Sequence, residues 1–128
     1  MSTVTLTADS FQDTVTDNDI VMVDFWAEWC GPCKSFAPVY EATSESNPDI
    51  VFGKVDTEAE QALVGAAGIQ SIPTLMVFRE GVMVFRQSGA LPQQAMDQLI
   101  AQVRELDMED VHRQVAEAEA ESATQASQ

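Results

Sequence analysis

The hydrophobic positions of this chain fall into two patterns, short continuous runs and stripes with a helical period. Continuous apolar runs at residues 20–27, 50–56 and 73–78 predict interior strands of a sheet, and the first of them predicts its central strand. Apolar side chains spaced three and four residues apart predict helices over residues 34–46 and 58–67. Parallel strands need a crossover helix between them, so this alternation predicts an α/β fold with a central mixed sheet.

Shorter elements complete the pattern on either side. Residues 4–6 predict a short leading strand, which a short helix follows. The run at 82–85 follows the strand at 73–78 after a Glu-Gly turn, which predicts an antiparallel hairpin at the sheet edge. From residue 92 to residue 106 an apolar stripe predicts a helix that covers one face of the sheet.

Residues 107–128 differ in composition from the rest of the chain. They carry six acidic residues and one basic residue, and nothing large to bury in the last nine positions. A chain of 128 residues suits a single domain. We therefore predict one domain over residues 1–106 and an acidic extension over 107–128 that begins as a helix continuing the preceding one and frays into disorder.

The overall charge narrows the choice of partners. Six basic residues against 21 acidic ones give a formal charge of −15, which repels nucleic-acid phosphates and anionic lipid surfaces. No basic leader precedes a long apolar stretch, and no apolar run is long enough to span a membrane. We expect a cytoplasmic monomer with neither nucleic acid nor membrane as a partner.

The two cysteines, Cys30 and Cys33, are the residues with the clearest chemistry. They lie where the predicted central strand meets a helix, and the helix N-terminus stabilises negative charge on the first sulfur. Side chains three residues apart share a helix face, so the pair can close a disulfide. This spacing predicts that Cys30 attacks a substrate disulfide as a thiolate and that Cys33, less exposed and protonated until needed, resolves the mixed disulfide.

Half of a zinc site is the alternative explanation for two cysteines at this spacing. Tetrahedral zinc needs four ligands, and the chain has no other cysteine. Its one histidine, His112, lies far away in the acidic extension and is interpreted as a solvated helix residue. We predict no metal and no bound cofactor, because the two sulfurs form the whole redox centre.

Asp24 and Lys54 are charged residues inside predicted strands. If Asp24 is buried, its pKa rises and the carboxyl group can exchange a proton near neutral pH, for example with Cys33 through a water. The alternative is an outward Asp at the strand end. Lys54 has the same ambiguity, since it can pair with Asp24 across neighbouring strands or face solvent.

The residues from Val23 to Lys34, with Trp29-Cys30-Gly31-Pro32-Cys33 at their centre, resemble the active-site segment of thioredoxins along their whole length. The similarity continues through further short segments and covers about residues 3–106. These segments are Ala37-Pro38, Lys54-Val55-Asp56, Ile72-Pro73-Thr74, Glu80-Gly81 and Gly89-Ala90. The resemblance implies the thioredoxin fold, with helices on both faces of the sheet.

The same resemblance assigns roles to individual residues. It makes Cys30 the nucleophile and Cys33 the resolving residue, and it makes Asp24 and Lys54 a buried proton relay. It implies a protein-disulfide reductase that a flavin-containing, NADPH-dependent thioredoxin reductase recharges. The Gly-Pro pair between the cysteines is the reducing type within the family.

A substrate-binding surface around the exposed sulfur is also implied by the resemblance. Pro73 matches the family's cis-proline, and Ile72 before it would bond the substrate backbone as an added strand. The predicted contact residues are Trp29, Gly31, Pro32, Ile72, Pro73, Gly89 and Ala90. Ser71 stands where relatives often have Gly and Ser88 where they often have Val, which leaves partner preference open.

A competing hypothesis is a non-catalytic binding or chaperone module that uses the same fold and the acidic extension. The extension is the one feature that favours it, and a charged, alanine-rich segment is commonly a solvated helix. The presence of both cysteines together with Asp24, Lys54 and Pro73 favours the enzyme.

Overall fold

The structure is a computed structural model that describes residues 2–126. Strands and helices alternate through the first part of the chain and a hairpin of two strands follows, as predicted; two helices end the described chain. The strands are β1 (Thr3–Thr5), β2 (Ile20–Trp26), β3 (Val51–Asp56), β4 (Thr74–Arg79) and β5 (Val82–Ser88), and the helices are α1 (Phe11–Asp17), α2 (Gly31–Ser46), α3 (Gln61–Ala67), α4 (Gln93–Glu105) and α5 (Met108–Ala126).

The strands form one mixed sheet in the order β1-β3-β2-β4-β5. Strands β1, β3 and β2 are parallel, whereas β4 is antiparallel to both β2 and β5. Strand β2 is central, and its residues from Ile20 to Phe25 are all buried. The predicted mixed sheet and its central strand are therefore confirmed.

Helices cover both faces of this sheet. Side chains of α2 and α4, among them Phe36, Tyr40 and Met96, pack with Met22 of β2 on one face. On the other face, Val15 of α1 packs with alternate residues of the same strand, and side chains of α3 lie against this cluster. Because successive residues of a strand point to opposite faces, β2 contributes to both cores at once.

Helix α3 begins later than the predicted residue 58. Thr57 donates two hydrogen bonds to the carbonyl of Trp26, from its amide at 2.9 Å and its hydroxyl at 3.0 Å. The amide of Glu58 donates to the Asp56 side chain at 2.9 Å. These bonds hold residues 57–59 in a turn, so the helix starts only at Gln61.

Residues 108–126 form a helix, α5, that is separate from α4, where a continuation of α4 over residues from 107 onward had been predicted. The chain turns at Leu106, and the Arg79 guanidinium donates to the carbonyls of Val103, Arg104 and Leu106. A guanidinium can satisfy carbonyls that a helix end leaves unpaired, and here it does so at the end of α4.

Helix α5 extends to Ala126, although fraying was predicted for its last residues. Alanine has the highest helix propensity of all residues, which accounts for helix where no core is available. The last two positions of the predicted disorder, residues 127 and 128, lie outside the described residues. Across residues 2–126, no helix is both long and apolar enough to cross a membrane.

Gly53, in the middle of β3, is required by close packing. A Cβ atom at this position would lie 2.3 Å from Leu6 Cδ1 and 2.8 Å from Leu6 Cγ. We predict that Gly53→Ala lowers the free energy of unfolding by about 1–3 kcal/mol, because the Leu6 side chain or the backbone must move. Urea denaturation monitored by circular dichroism measures this change.

Gly65→Ala is the matched control. Nothing lies within 4 Å of a Cβ atom built at this helical position, so alanine should raise stability by about 0.5–1 kcal/mol through helix propensity. Equal effects of the two substitutions would contradict this explanation of Gly53.

Candidate active site

The site lies where the central strand meets helix α2. Strand β2 ends at Trp26, and the amide of Cys30 donates to the carbonyl of Ala27 at 3.2 Å, which closes the turn between them. Cys30 is the N-cap of α2, and Gly31 and Pro32 open the helix. Proline is suited to this first turn because its missing amide hydrogen would have had no helical partner.

Cys30 and Cys33 form a disulfide, with their Cα atoms 5.2 Å apart. The amide of Cys33 donates to Sγ of Cys30 at 3.2 Å, so this sulfur caps the helix. A helix N-terminus places a partial positive charge near that atom.

The two cysteines are equally buried, contrary to the expectation that Cys33 is less exposed. Each is 4% exposed, and the disulfide packs against Ala27, with Trp26 and Ile72 at its edge. The linked sulfurs occupy one small cluster, so the difference predicted from helix position alone is absent in the disulfide form. What distinguishes Cys30 here is its bond from the Cys33 amide.

A second loop meets the disulfide from the start of β4. The Ile72–Pro73 peptide bond is cis, as the resemblance implied. The carbonyl oxygen of Ile72 lies 3.8 Å from Sγ of Cys30. The amide of Gly89 donates to the carbonyl of Pro73 at 2.8 Å. This bond fastens the cis-proline loop to the end of β5, and the two segments reach the cysteines together.

The predicted contact residues lie around the disulfide and differ in exposure. Trp29 is 69% exposed, and its indole N–H donates to Oε1 of Glu58 at 2.5 Å. Ile72 is half-buried and Pro73 is buried. The remaining four predicted contact residues are exposed: Gly31, Pro32, Gly89 and Ala90.

Asp24 points into the protein, which excludes the outward alternative. Asp24 is only 1% exposed. Within residues 2–126, neither of its carboxyl oxygens has a hydrogen-bond partner. Burial raises its pKa from 3.8 to about 7, and the positive charge of Lys54 partly opposes that rise. A carboxyl group with this pKa can accept or release a proton near neutral pH.

Lys54 is the register partner of Asp24 in the β2–β3 pair. Its side chain lies over the indole of Trp26, with Nζ 5.1 Å from the ring centroid. In the described part of the chain no ion pair joins Lys54 to Asp24, so the direct pairing considered from the sequence does not form. Lys54 is half-buried, and it acts on Asp24 through its charge alone.

A cavity of about 150 Å³ lies between Cys33 and Lys54. Its lining residues are Trp26, Ala27, Glu28, Cys33, Lys34, Ala37 and Lys54. The volume is sufficient for water, which needs roughly 15 Å³ measured with the same kind of probe. Cys33 and Lys54 therefore share a space through which a proton can move by way of water.

Sequence reasoning missed two groups that shape the site. Glu58 accepts a hydrogen bond from the indole of Trp29, and the Thr74 hydroxyl bonds the carbonyl of Ser71 and the hydroxyl of Ser88. Glu58 follows the strand β3 by only two residues, so its proximity to Trp29 could have been inferred from the parallel pairing of β2 and β3. The side-chain rotamers that make these bonds depend on tertiary packing and leave no signal in the sequence.

The part of the chain that the structure describes contains no candidate metal-binding cluster. No three side chains of His, Cys, Asp or Glu lie close enough together to hold an ion. His112 is an exposed residue of helix α5, as interpreted from the sequence, and its Nε2 lies 3.0 Å from Oε1 of Glu80 in the β4–β5 turn.

Comparison with known proteins gives consistent matches. The protein-family profile for thioredoxin matches residues 2–102. A Streptomyces coelicolor protein named "Putative thioredoxin 2" is 60% identical over 121 residues, covering 94% of this chain and 90% of that protein. The Bacillus subtilis protein named "Thioredoxin" is 39% identical, covering 78% of this chain and 96% of the relative.

Solved structures of thioredoxins superpose on the same region. The thioredoxin of Plasmodium falciparum has a TM-score of 0.72 at 37% identity and covers 78% of this chain and 97% of that chain. A mutant thioredoxin from Halobacterium salinarum has a TM-score of 0.74 at 36% identity, covering 81% and 91% respectively.

A cysteine pair at the first turn of α2, in a mixed sheet of this topology, defines a thiol–disulfide oxidoreductase. This chain belongs to the thioredoxin family. It is a protein-disulfide reductase whose redox centre is its own cysteine pair, with no cofactor.

The raised pKa of Asp24 makes stability depend on pH. Between pH 3.8 and about 7 the folded protein binds more protons at this site than the unfolded chain does. The free energy of unfolding therefore falls as pH rises through this window. We predict that Asp24→Asn removes this loss and is more stable than the parent at pH 8, by at most about 4 kcal/mol, with little difference near pH 4.

Urea titrations at several pH values between 4 and 8 measure this difference. Asp9→Asn changes an exposed carboxyl group and serves as the control. Stability curves of Asp24→Asn and parent that stay parallel over the whole range would contradict a raised pKa at Asp24.

Proposed function

We propose that Cys30 is the attacking and Cys33 the resolving cysteine of this reductase. The Cys30 thiolate attacks one sulfur of a substrate disulfide, forming a mixed disulfide and releasing a substrate thiolate. The Cys33 thiolate then attacks Sγ of Cys30, closes the Cys30–Cys33 disulfide and releases the second substrate thiolate. Two electrons pass to the substrate. The observation that carries this assignment is the amide of Cys33 directed at Sγ of Cys30.

Asp24 is proposed as the base that takes the proton of Cys33 before it attacks. Its pKa of about 7 suits proton exchange at neutral pH. The proton would leave Cys33 through water in the cavity that Cys33 shares with Lys54, the register partner of Asp24. Lys54 is proposed as the second member of this relay, because it lines the same cavity as Cys33 and its positive charge stabilises the ionised carboxylate of Asp24.

The predicted contact residues are proposed as the surface that binds substrate. A substrate segment would lie along Ile72, whose carbonyl is 3.8 Å from Sγ of Cys30, and would pair with its backbone as an added strand. Trp29 would cover the other side of the sulfur. Gly31, Pro32, Pro73, Gly89 and Ala90 complete the surface, with Pro73 contributing from below because it is buried.

The oxidised protein must receive two electrons to act again. We propose an NADPH-dependent, flavin-containing thioredoxin reductase as the donor, because this is the usual partner of the family. A cytoplasmic location and a role in electron transport and redox homeostasis fit a dithiol that must be kept reduced. We propose that the protein works as a monomer, because one chain carries the whole redox centre.

The acidic residues 107–128 are proposed as an extension outside the catalytic domain of residues 1–106. The family profile ends at residue 102. The Streptomyces coelicolor relative covers 94% of this chain, so its similarity continues into α5. The extension is thus shared with at least one relative, although it contributes nothing to the site described above.

Substituting each cysteine separately tests the assignment. Cys30→Ser should abolish the reduction of insulin disulfides, whereas Cys33→Ser should still attack and accumulate a mixed disulfide with substrate. Turnover is measured with NADPH and a thioredoxin reductase. Trapped mixed disulfides are detected by mass spectrometry. A mixed disulfide trapped on Cys33 in the Cys30→Ser protein would reverse the proposed roles. No turnover of the parent, even with a chemical dithiol as reductant, would refute the whole assignment.

Removing residues 109–128 tests the extension while keeping Met108, which is buried. If catalysis belongs to residues 1–106, insulin reduction should be unchanged, because no residue of α5 lines the site. The melting temperature of the shortened protein is the control for folding. Loss of turnover in a shortened protein that still folds would favour the alternative in which the extension supplies the function.

A further inference from the structure

Three hydroxyl groups meet beside the cis-proline loop. Ser71 Oγ lies 2.9 Å from Ser88 Oγ, and Ser88 Oγ lies 3.2 Å from Thr74 Oγ1. Thr74 Oγ1 also donates to the carbonyl of Ser71 at 2.6 Å. Thr74 and Ser88 are register partners in the β4–β5 pair. The hydroxyls therefore connect the loop before β4 to the end of β5.

The direction of each bond follows from the number of protons. A hydroxyl carries one proton, and that of Thr74 is committed to the Ser71 carbonyl, which can only accept. Ser88 must then donate to Thr74, and Ser71 must donate to Ser88. All three protons are used within the cluster. Lone pairs remain on Ser71 and Ser88, so the cluster offers acceptors and no free donor.

These acceptors border the site where a substrate would bind. Ser71 and Ser88 are exposed, whereas Thr74 is buried beneath them. Ser71 also lines a cleft of about 330 Å³ beside the disulfide. The other lining residues are Trp29, Thr57, Val64, Ile69, Gln70 and Ile72. A substrate side chain that entered this largely apolar cleft would lie next to Ser71. The Ser71 hydroxyl oxygen would accept a hydrogen bond from it, because its proton is donated to Ser88.

We propose that Ser71 and Ser88 form an accepting subsite that favours substrate disulfides flanked by a side chain with an N–H donor. This inference rests on the proposed function and adds a substrate class to it. Ser71 makes the contact. Ser88 is a positioning residue that holds the Ser71 proton away from the substrate. A substrate side chain that can only accept would place lone pairs against lone pairs and would be disfavoured.

Peptides with one internal disulfide test the proposal. Three peptides carry Asn, Leu or Asp beside a half-cystine, since these side chains have similar size but differ in donor capacity. Reduced protein is mixed with each peptide, and oxidation of Cys30 and Cys33 is followed in a single turnover by tryptophan fluorescence. Varying the peptide concentration separates binding from the rate of the chemical step, and no recycling reductant is needed.

The expected effect is a change in preference caused by Ser71→Ala. The ratio of second-order rate constants for Asn over Leu should fall by about three- to tenfold, the value of one neutral hydrogen bond, and the change should appear in binding. Ser88→Ala frees the Ser71 proton, so it should improve the reaction with the Asp peptide relative to the Asn peptide. Ser46→Ala, an exposed serine at the end of α2, is the matched control.

The outcomes separate this inference from the function on which it rests. If all three peptides react and Ser71→Ala leaves the Asn-to-Leu ratio unchanged, the accepting subsite is refuted while the reductase assignment stands. The same holds if Ser88→Ala gives no gain with the Asp peptide. If no peptide oxidises the reduced protein, the proposed function fails and the subsite fails with it.

Discussion

Burial of strand β2 on both faces is the constraint on which the rest of the structure depends. Its six buried residues, Ile20 to Phe25, face two different helical layers, so neither layer can move without opening a core. Packing on both faces therefore fixes the position of the C-terminal end of β2. Helix α2 starts five residues after the end of β2, on the same rigid support, and the cysteine chemistry depends on that placement.

The same burial raises the pKa of Asp24 to about 7. A carboxyl group among apolar side chains, without a hydrogen-bond partner in the described chain, loses hydration and resists ionisation. This costs stability at neutral pH and gives the carboxyl group the pKa that its proposed role as a proton acceptor requires. The raised pKa that the proposed proton transfer uses therefore lowers the stability of the folded protein, a trade-off that is common at functional sites.

Two features of the site depend on segments distant in sequence. The loop at Ile72–Pro73 reaches Cys30 because β4 pairs antiparallel with β2, which brings the start of β4 to the end of β2. The end of β5 joins them through the bond from Gly89 to Pro73 and the hydroxyls of Ser71 and Ser88. The redox pair is a local structure, whereas the surface proposed to bind substrates is assembled from three segments.

The burial of Asp24 was implied by the family resemblance, because the residues alone left its orientation open. The sequence by itself determined the order of strands and helices, the mixed sheet and the cysteine pair at a helix start. These properties are local, since they follow from periodicity and from spacing within a few residues. It did not determine the equal burial of the two cysteines, the position of Lys54 over Trp26, or the break that Arg79 stabilises before α5. Those were decided by tertiary structure, because side-chain conformation and hydrogen-bond choice depend on neighbours that the chain brings together only when folded.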